Sequence, residues 1–165
     1  MFKKKINKTF LDTFIILIIF LIDRVSKIYI LEIAELETKV DIYVNSYLNF
    51  YLIWNKGIAF GLFSFDKSFI YQSISLIVFI ICIVIIVMLI KSKGLKKYAL
   101  ILILGGALGN FFDRMYYSAV PDFIDFHIGN FHWFIFNVAD IFITIGVICL
   151  ILDELFNYKI RNEND

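Results

Sequence analysis

The sequence predicts an integral membrane protein, mainly α-helical. Four transmembrane helices keep both termini cytoplasmic, and a small extracytoplasmic β-rich segment joins the first two. Three observations lead there. Hydrophobic residues make up 61% of the 165 positions, with a mean hydropathy of +0.82, well above the apolar share of a soluble domain. Those residues gather into four long runs, at about 10–31, 68–90, 98–114 and 134–155. Lysines cluster at two places only, Lys3, Lys4, Lys5 and Lys8 before the first run and Lys91, Lys93, Lys96 and Lys97 after the second. Short basic segments stay in the cytoplasm. The length suits one domain over residues 1–165, and a net charge of +1 offers no basic stripe for nucleic acid.

The first run follows a basic start, as in a signal peptide. It is too long for one and no small-residue cleavage site follows, so it reads as an uncleaved span. At 1.5 Å per residue, its 22 residues reach about 33 Å, enough to cross a bilayer core. Residues 32–67 are polar but contain Val40–Val44 and Tyr47–Trp54, β-branched and aromatic stretches that predict two short strands. Asn55-Lys-Gly57 is a turn signal. The second run is nearly all Ile, Val, Leu and Phe. The third is short unless its helix continues past Asp113, and the fourth resumes at Phe131. The segments 32–67 and 114–132 then face outward, and neither can face lipid, where an unpaired backbone is not tolerated. Cys82 and Cys149 lie in apolar runs and read as packing residues.

Charges beside hydrocarbon cost several kcal/mol unless paired or hydrated, so the polar residues are informative. Asp23 and Lys27 share a helix face, as an ion pair or as the lining of a polar cleft. Ser26 and Lys27 point about 100° apart on a helix, which argues against a Ser–Lys nucleophile. Gly105 and Gly109 invite close approach of another helix. Asn110, Asp113 and Arg114 share one face of the third span, where an Asp–Arg neighbour pair serves as a clamp that could hold a nearby loop. Asp122 follows the only proline, Pro121, which predicts a rigid non-helical segment. Asp125 either neighbours Asp122 or faces water. Asn137-Val-Ala-Asp140 has the form of a capping box that opens the last helix at Val138. His127 and His132 lack the spaced partners of a zinc site and read as interfacial residues rather than ligands.

Two outward segments therefore each bring an aspartate to one membrane level. Aspartic proteolysis needs that pair, one carboxylate to deprotonate water and one carboxylic acid to protonate the scissile carbonyl. Two carboxylates about 5 Å apart repel by about 3 kcal/mol at an effective dielectric near 20, or about two pKa units.

The set Asp23-Arg-Val-Ser-Lys27, Asn55-Lys-Gly-Ile-Ala-Phe60, Gly105-Gly-Ala-Leu-Gly-Asn-Phe-Phe-Asp-Arg114, Val120-Pro-Asp-Phe123 and Phe136-Asn-Val-Ala-Asp140 closely resembles the bacterial lipoprotein signal peptidases, the signal peptidase II family, over essentially the full chain. The resemblance implies an intramembrane aspartic endopeptidase of the bacterial cytoplasmic membrane, with its active site at the extracytoplasmic face. Such enzymes cut diacylglyceryl-modified prolipoproteins just before the lipidated cysteine, and the cyclic peptide globomycin blocks them. It implies Asp122 and Asp140 as the catalytic residues. Asp23, Lys27, Asn55, Gly57, Asn110, Asp113, Arg114 and Asn137 are then supporting or substrate-binding positions. Membrane lipids are expected partners, and no metal or other cofactor is expected. Pro121, where the family commonly has a second valine, and Ile58, where a small residue is usual, depart from the pattern. A small ion- or proton-coupled transporter is the alternative, although its acids would lie near the midplane in repeated halves. A non-catalytic membrane scaffold comes third.

Overall fold

The computed structural model describes residues 2–37, 40–57 and 68–162. Along the chain, α1 (Phe2–Leu36) is followed by β1 (Asp41–Asn45), β2 (Leu48–Asn55), α2 (Ser68–Lys91) and α3 (Gly94–Tyr117). Then come β3 (Val120–Ile128), β4 (Phe131–Phe136) and α4 (Val138–Asn162). The turn after Asn55 is described only as far as Gly57, so Ile58 lies outside the described residues.

Residues 71–91 of α2, with mean hydropathy 3.4, and the whole of α3, at 1.3, are long and apolar enough to cross a membrane. The other two helices are as long but carry charge: Asp12, Asp23, Arg24 and Lys27 in α1, and Asp140, Asp153 and Glu154 in α4. Apolar side chains crowd the outer faces. Phe10, Phe14, Leu17 and Leu21 on α1 and Leu76, Ile80, Val84 and Val87 on α2 are all exposed. Apolar surface on that scale needs a nonaqueous neighbour.

α3 is the central helix and packs against the other three. Small residues let it. A Cβ on Gly105 would lie 2.7 Å from Ile19 and one on Gly109 2.5 Å from the Asp23 carboxylate, so both glycines admit α1. Gly106 faces the Ala139 carbonyl, and Gly146 on α4 faces the Ala99 carbonyl and Ile103. Those contacts make α3 antiparallel to α4. Phe79 stacks on Phe111 and the Tyr71 hydroxyl donates to the Arg114 carbonyl, so α2 also runs against α3. Asp12 pairs with Lys97, while Asp23 and Lys27 meet the other end of α3, so α1 runs with it. Cys82, Ile85, Leu100, Ile103, Leu104 and Ala107 fill the space between α2 and α3.

All four strands form one antiparallel sheet in the order β1-β2-β3-β4. Ile30 of α1 packs with Val40 and Phe123 beneath it. The two strands expected near residues 40–54 are β1 and β2. The sequence reading missed the other half of the sheet: Phe131–Phe136, which it ran into the fourth span, is a strand, while the last helix starts at Val138, where the capping box places it. The run Phe-His-Trp-Phe-Ile-Phe is apolar enough to extend a span, but the two-residue Gly129-Asn130 turn, with Gly129 at φ 58°, folds it back on β3 as a hairpin. The basic connection is also shorter than expected. Only Ser92 and Lys93 lie between α2 and α3, and Lys96 and Lys97 belong to the first turn of α3.

Candidate active site

Asp122 is set by the start of β3. α3 ends at Ser118, whose φ of 57° turns the chain out of the helix, and β3 begins two residues later. Pro121 stands opposite Trp54 of β2, before β4 joins on the other side at Ile124. A residue without an N–H fits there, because β3 has a neighbour on one side only. Asp122 follows, 3% exposed, and on a strand rather than a loop.

Asp140 is set by the start of α4. The Asn137 N–H donates to Asp140 Oδ2 (3.1 Å) and the Asp140 N–H to Asn137 Oδ1 (3.2 Å), the reciprocal pattern of a capping box. Asn137 does more than cap. Its Nδ2 donates to Asp122 Oδ1 at 2.6 Å, so one residue holds both carboxylates. The remaining oxygens receive amides too: Asn55 Nδ2 donates to Asp122 Oδ2 and Asn110 Nδ2 to Asp140 Oδ1, both at 2.8 Å. Burial chiefly, and then the charge of Asp140, push Asp122 up to about 6 from 3.8, against the lowering effect of Asn55 and Asn137. The size agrees with charge repulsion alone, yet desolvation leads.

Behind the pair lies a buried ionic cluster. Lys27 Nζ donates to Asp23 (3.0 Å), to Asp113 (2.6 Å) and to Asn110 Oδ1 (2.9 Å). The last bond fixes which end of the Asn110 amide faces Asp140. Asp23 Oδ1 accepts the Ala139 N–H at 3.0 Å, tying α1 to the first turn of α4. Ser26 Oγ donates to the Asp23 carbonyl and not to Lys27.

One pairing differs from expectation. Asp113 and Arg114 do not clamp each other. Successive helical residues diverge by about 100°, so Asp113 turns to α1, where Arg24 and Lys27 hold it. Arg114 instead donates through Nη2 to the Gly57 carbonyl (2.6 Å), while the Gly57 N–H donates to Asn55 Oδ1. The expected hold on a loop is there, without Asp113. Arg114 Nε and Nη1 are buried without a hydrogen-bond partner among the described residues. Arg24 was missed by sequence reasoning. It donates to both Asp113 oxygens and to Asp23, and a third charge in an apolar run, beside Asp23, was the available signal.

Asp122, Asp140, Asn55, Asn110, Arg114 and Asn137 line one end of a cavity of about 450 Å³, and Val78, Ile81, Ile85, Ile143, Val147 and Ile148 carry it on as an apolar groove between α2 and α4. Asp125 is buried but takes no part, since its carboxylate meets His132.

A family profile described as "Signal peptidase (SPase) II" matches residues 15–156. A lipoprotein signal peptidase of Pelagibacter ubique (strain HTCC1062) is 57% identical over 164 residues, 99% of each chain. One from Francisella tularensis subsp. novicida (strain U112) is 43% identical, covering 75% of this chain and 80% of its own. A solved bacterial membrane enzyme superposes with a TM-score of 0.70 at 32% identity, over 89% of this chain and 88% of that one.

Proposed function

The chain belongs to the signal peptidase II family, and from that premise we propose that Asp122 and Asp140 are the carboxylates with which it works. It is a membrane protease that cleaves lipoprotein signal peptides. The observation that carries the assignment is Asn137, which gives its side-chain amide to Asp122 and its backbone N–H to Asp140 at the polar end of one groove.

The groove suggests how substrate lies. The signal helix, entering from the bilayer, occupies the apolar stretch between α2 and α4. The diacylglyceryl chains of the modified cysteine remain among lipid, and the scissile carbonyl before that cysteine reaches the carboxylates. Since Asp122 titrates at about 6, the pair keeps one proton up to about that pH. One carboxylate then takes a proton from water as it attacks, and the other, as the acid, protonates the carbonyl oxygen. The two titrate jointly, so neither is base by itself. Arg114, with two nitrogens unpartnered among the described residues, is placed to donate to substrate carbonyls, and a cyclic peptide such as globomycin would occupy the same cavity. No step calls for a metal.

All four helices span the membrane as one domain in this reading. The buried charges of α1 are neutralised by Asp113, the Asp140 carboxyl at the α4 start is buried at the level of the outer membrane face, and the lysine clusters hold both termini in the cytoplasm. The sheet and the active site then face outward from the bacterial inner membrane. A transporter finds no support, for the acids gather at one end of the bundle.

The test is cleavage of a purified lipidated precursor, followed by mass spectrometry, with D122N and D140N. Both variants should lose turnover by at least about 10³-fold while remaining folded and monodisperse. Normal turnover by either removes that residue from the assignment.

A further inference from the structure

Outside the active site, the β3–β4 hairpin carries a second group of chemistry-bearing residues. Asp125, His127 and His132 each bring one ligand atom within 4.8 Å of the other two. The Asp125 side chain is 6% exposed. His132 Nδ1 lies 2.9 and 3.0 Å from its two oxygens, and His127 Nδ1 lies 3.7 Å from Oδ2. That last distance is too long for a hydrogen bond, and His127 Nδ1 is buried with no hydrogen-bond partner among the described residues.

A bulge assembles the group. Asp125 pairs with Ile135 and His127 with His132, so β4 takes three steps where β3 takes two. In the register set by Asp125 and Ile135, His132 would stand opposite Ile128, on the other face of the sheet. The extra residue turns it to the face of Asp125 and His127, since a one-residue slip moves a side chain across the sheet. The two imidazoles then stack, with centroids 5.0 Å apart and planes 24° apart.

One divalent ion among the three would take a ligand atom from each residue and give the buried His127 Nδ1 a partner. Tetrahedral ligands at bonds of about 2.0–2.1 Å stand about 3.3 Å apart, between the 2.9 and 3.7 Å observed here. Two imidazoles and a carboxylate suit a borderline ion such as Zn²⁺ or Co²⁺. The His132 side chain, 54% exposed, leaves a way in.

We propose that Asp125, His127 and His132 form a binding site for one divalent transition-metal ion, which staples β3 to β4 across the Gly129-Asn130 turn. The site is separate from the proteolytic chemistry. It lies toward the far end of the strand whose start carries Asp122, with about 10 Å of strand between Asp122 and Asp125.

The test uses tag-free, chelator-treated full-length protein in detergent, titrated with Zn²⁺ by calorimetry and with Co²⁺ by its visible absorption. The wild type should take up one ion per chain and unfold at a higher temperature with Zn²⁺ than without it. H132A, altered at an exposed side chain, should keep the metal-free unfolding midpoint, bind at least about tenfold more weakly and lose the Zn²⁺-dependent rise. D125N should do the same where it folds. No saturable uptake by the wild type, or an unchanged affinity in H132A, overturns the proposal.

Discussion

Replacing Lys27 by methionine tests whether the ionic cluster behind the carboxylates acts as one unit. Lys27 and Arg24 face Asp23 and Asp113, so two cations balance two anions, and Lys27, Asp23 and Asp113 are 0% exposed. Each close pair is worth about 4 kcal/mol at an effective dielectric near 20. Much of that offsets desolvation, and the measurable loss on breaking such a pair is about 3–5 kcal/mol, because the partner charge stays buried. K27M leaves the cluster one charge negative, and D113N alone leaves it one positive. The double variant is neutral again, with Asp23 and Arg24 still paired at 2.8 Å. Unfolding in detergent should therefore give K27M a loss of about 3–5 kcal/mol, and the double-mutant cycle a favourable coupling of about 2–3 kcal/mol. Cleavage should behave differently. Neutrality does not restore the Lys27 bond that orients Asn110 toward Asp140, so both variants should stay about 10²-fold slow. Stabilities that add within about 0.5 kcal/mol, or full activity in the double variant, would refute this reasoning.

Three further outcomes are expected. With Asp122 at about 6 against 3.8, kcat/KM should fall on the alkaline side with an apparent pKa of about 6, and a flat profile between about pH 5 and pH 8 would contradict it. The same shift sets the sign for stability. The contribution of Asp122 is full below 3.8 and is lost as pH rises through about 6, by up to about 3 kcal/mol. Unfolding of D122N should lack that decline. G109A puts a Cβ 2.5 Å from Asp23 Oδ2 and should cost about 1–3 kcal/mol together with activity, as read by unfolding and cleavage side by side. N137A removes the α4 cap and the Asp122 donor at once. It should lose about 1–2 kcal/mol in unfolding but about 10²-fold in turnover, far more than a cap alone would cost.

What the sequence made legible follows from how locally each feature is encoded. The apolar runs encode their own helices, and the Asn137–Asp140 box, with both partners within four residues, was readable with its role. The β3–β4 hairpin was not. Phe131–Phe136 is apolar at every position but His132, and neither helix nor strand periodicity distinguishes its two states. Only the Gly129-Asn130 turn and the Ile124–Ile128 partner strand decide it. The partners of Asp113 were hidden for a similar reason. Arg24 and Lys27 are 89 and 86 residues away, while Arg114 is adjacent in sequence and wrong in space. The bulge that turns His132 toward Asp125 and His127 has no local signature at all.

One physical distinction separates the buried aspartates. Asp23 and Asp113 each meet both Arg24 and Lys27. Carboxylates so paired are committed to their ion pairs, which suits a clamp. Asp122 and Asp140 are as deeply placed, but the groups bonded to them are neutral, namely the side-chain amides of Asn55, Asn110 and Asn137 and the Asn137 N–H. Neutral donors fix orientation at little cost to basicity, whereas a contacting cation would draw the carboxyl far below the usual range. Lys27 is bonded to Asp140 only through Asn110, so its position is transmitted without a contact between the two charges. Substituting lysine for Asn110 would collapse that separation. It would put a cation on Asp140, hold it ionised, and leave a pair unable to share a proton even if every backbone position were kept.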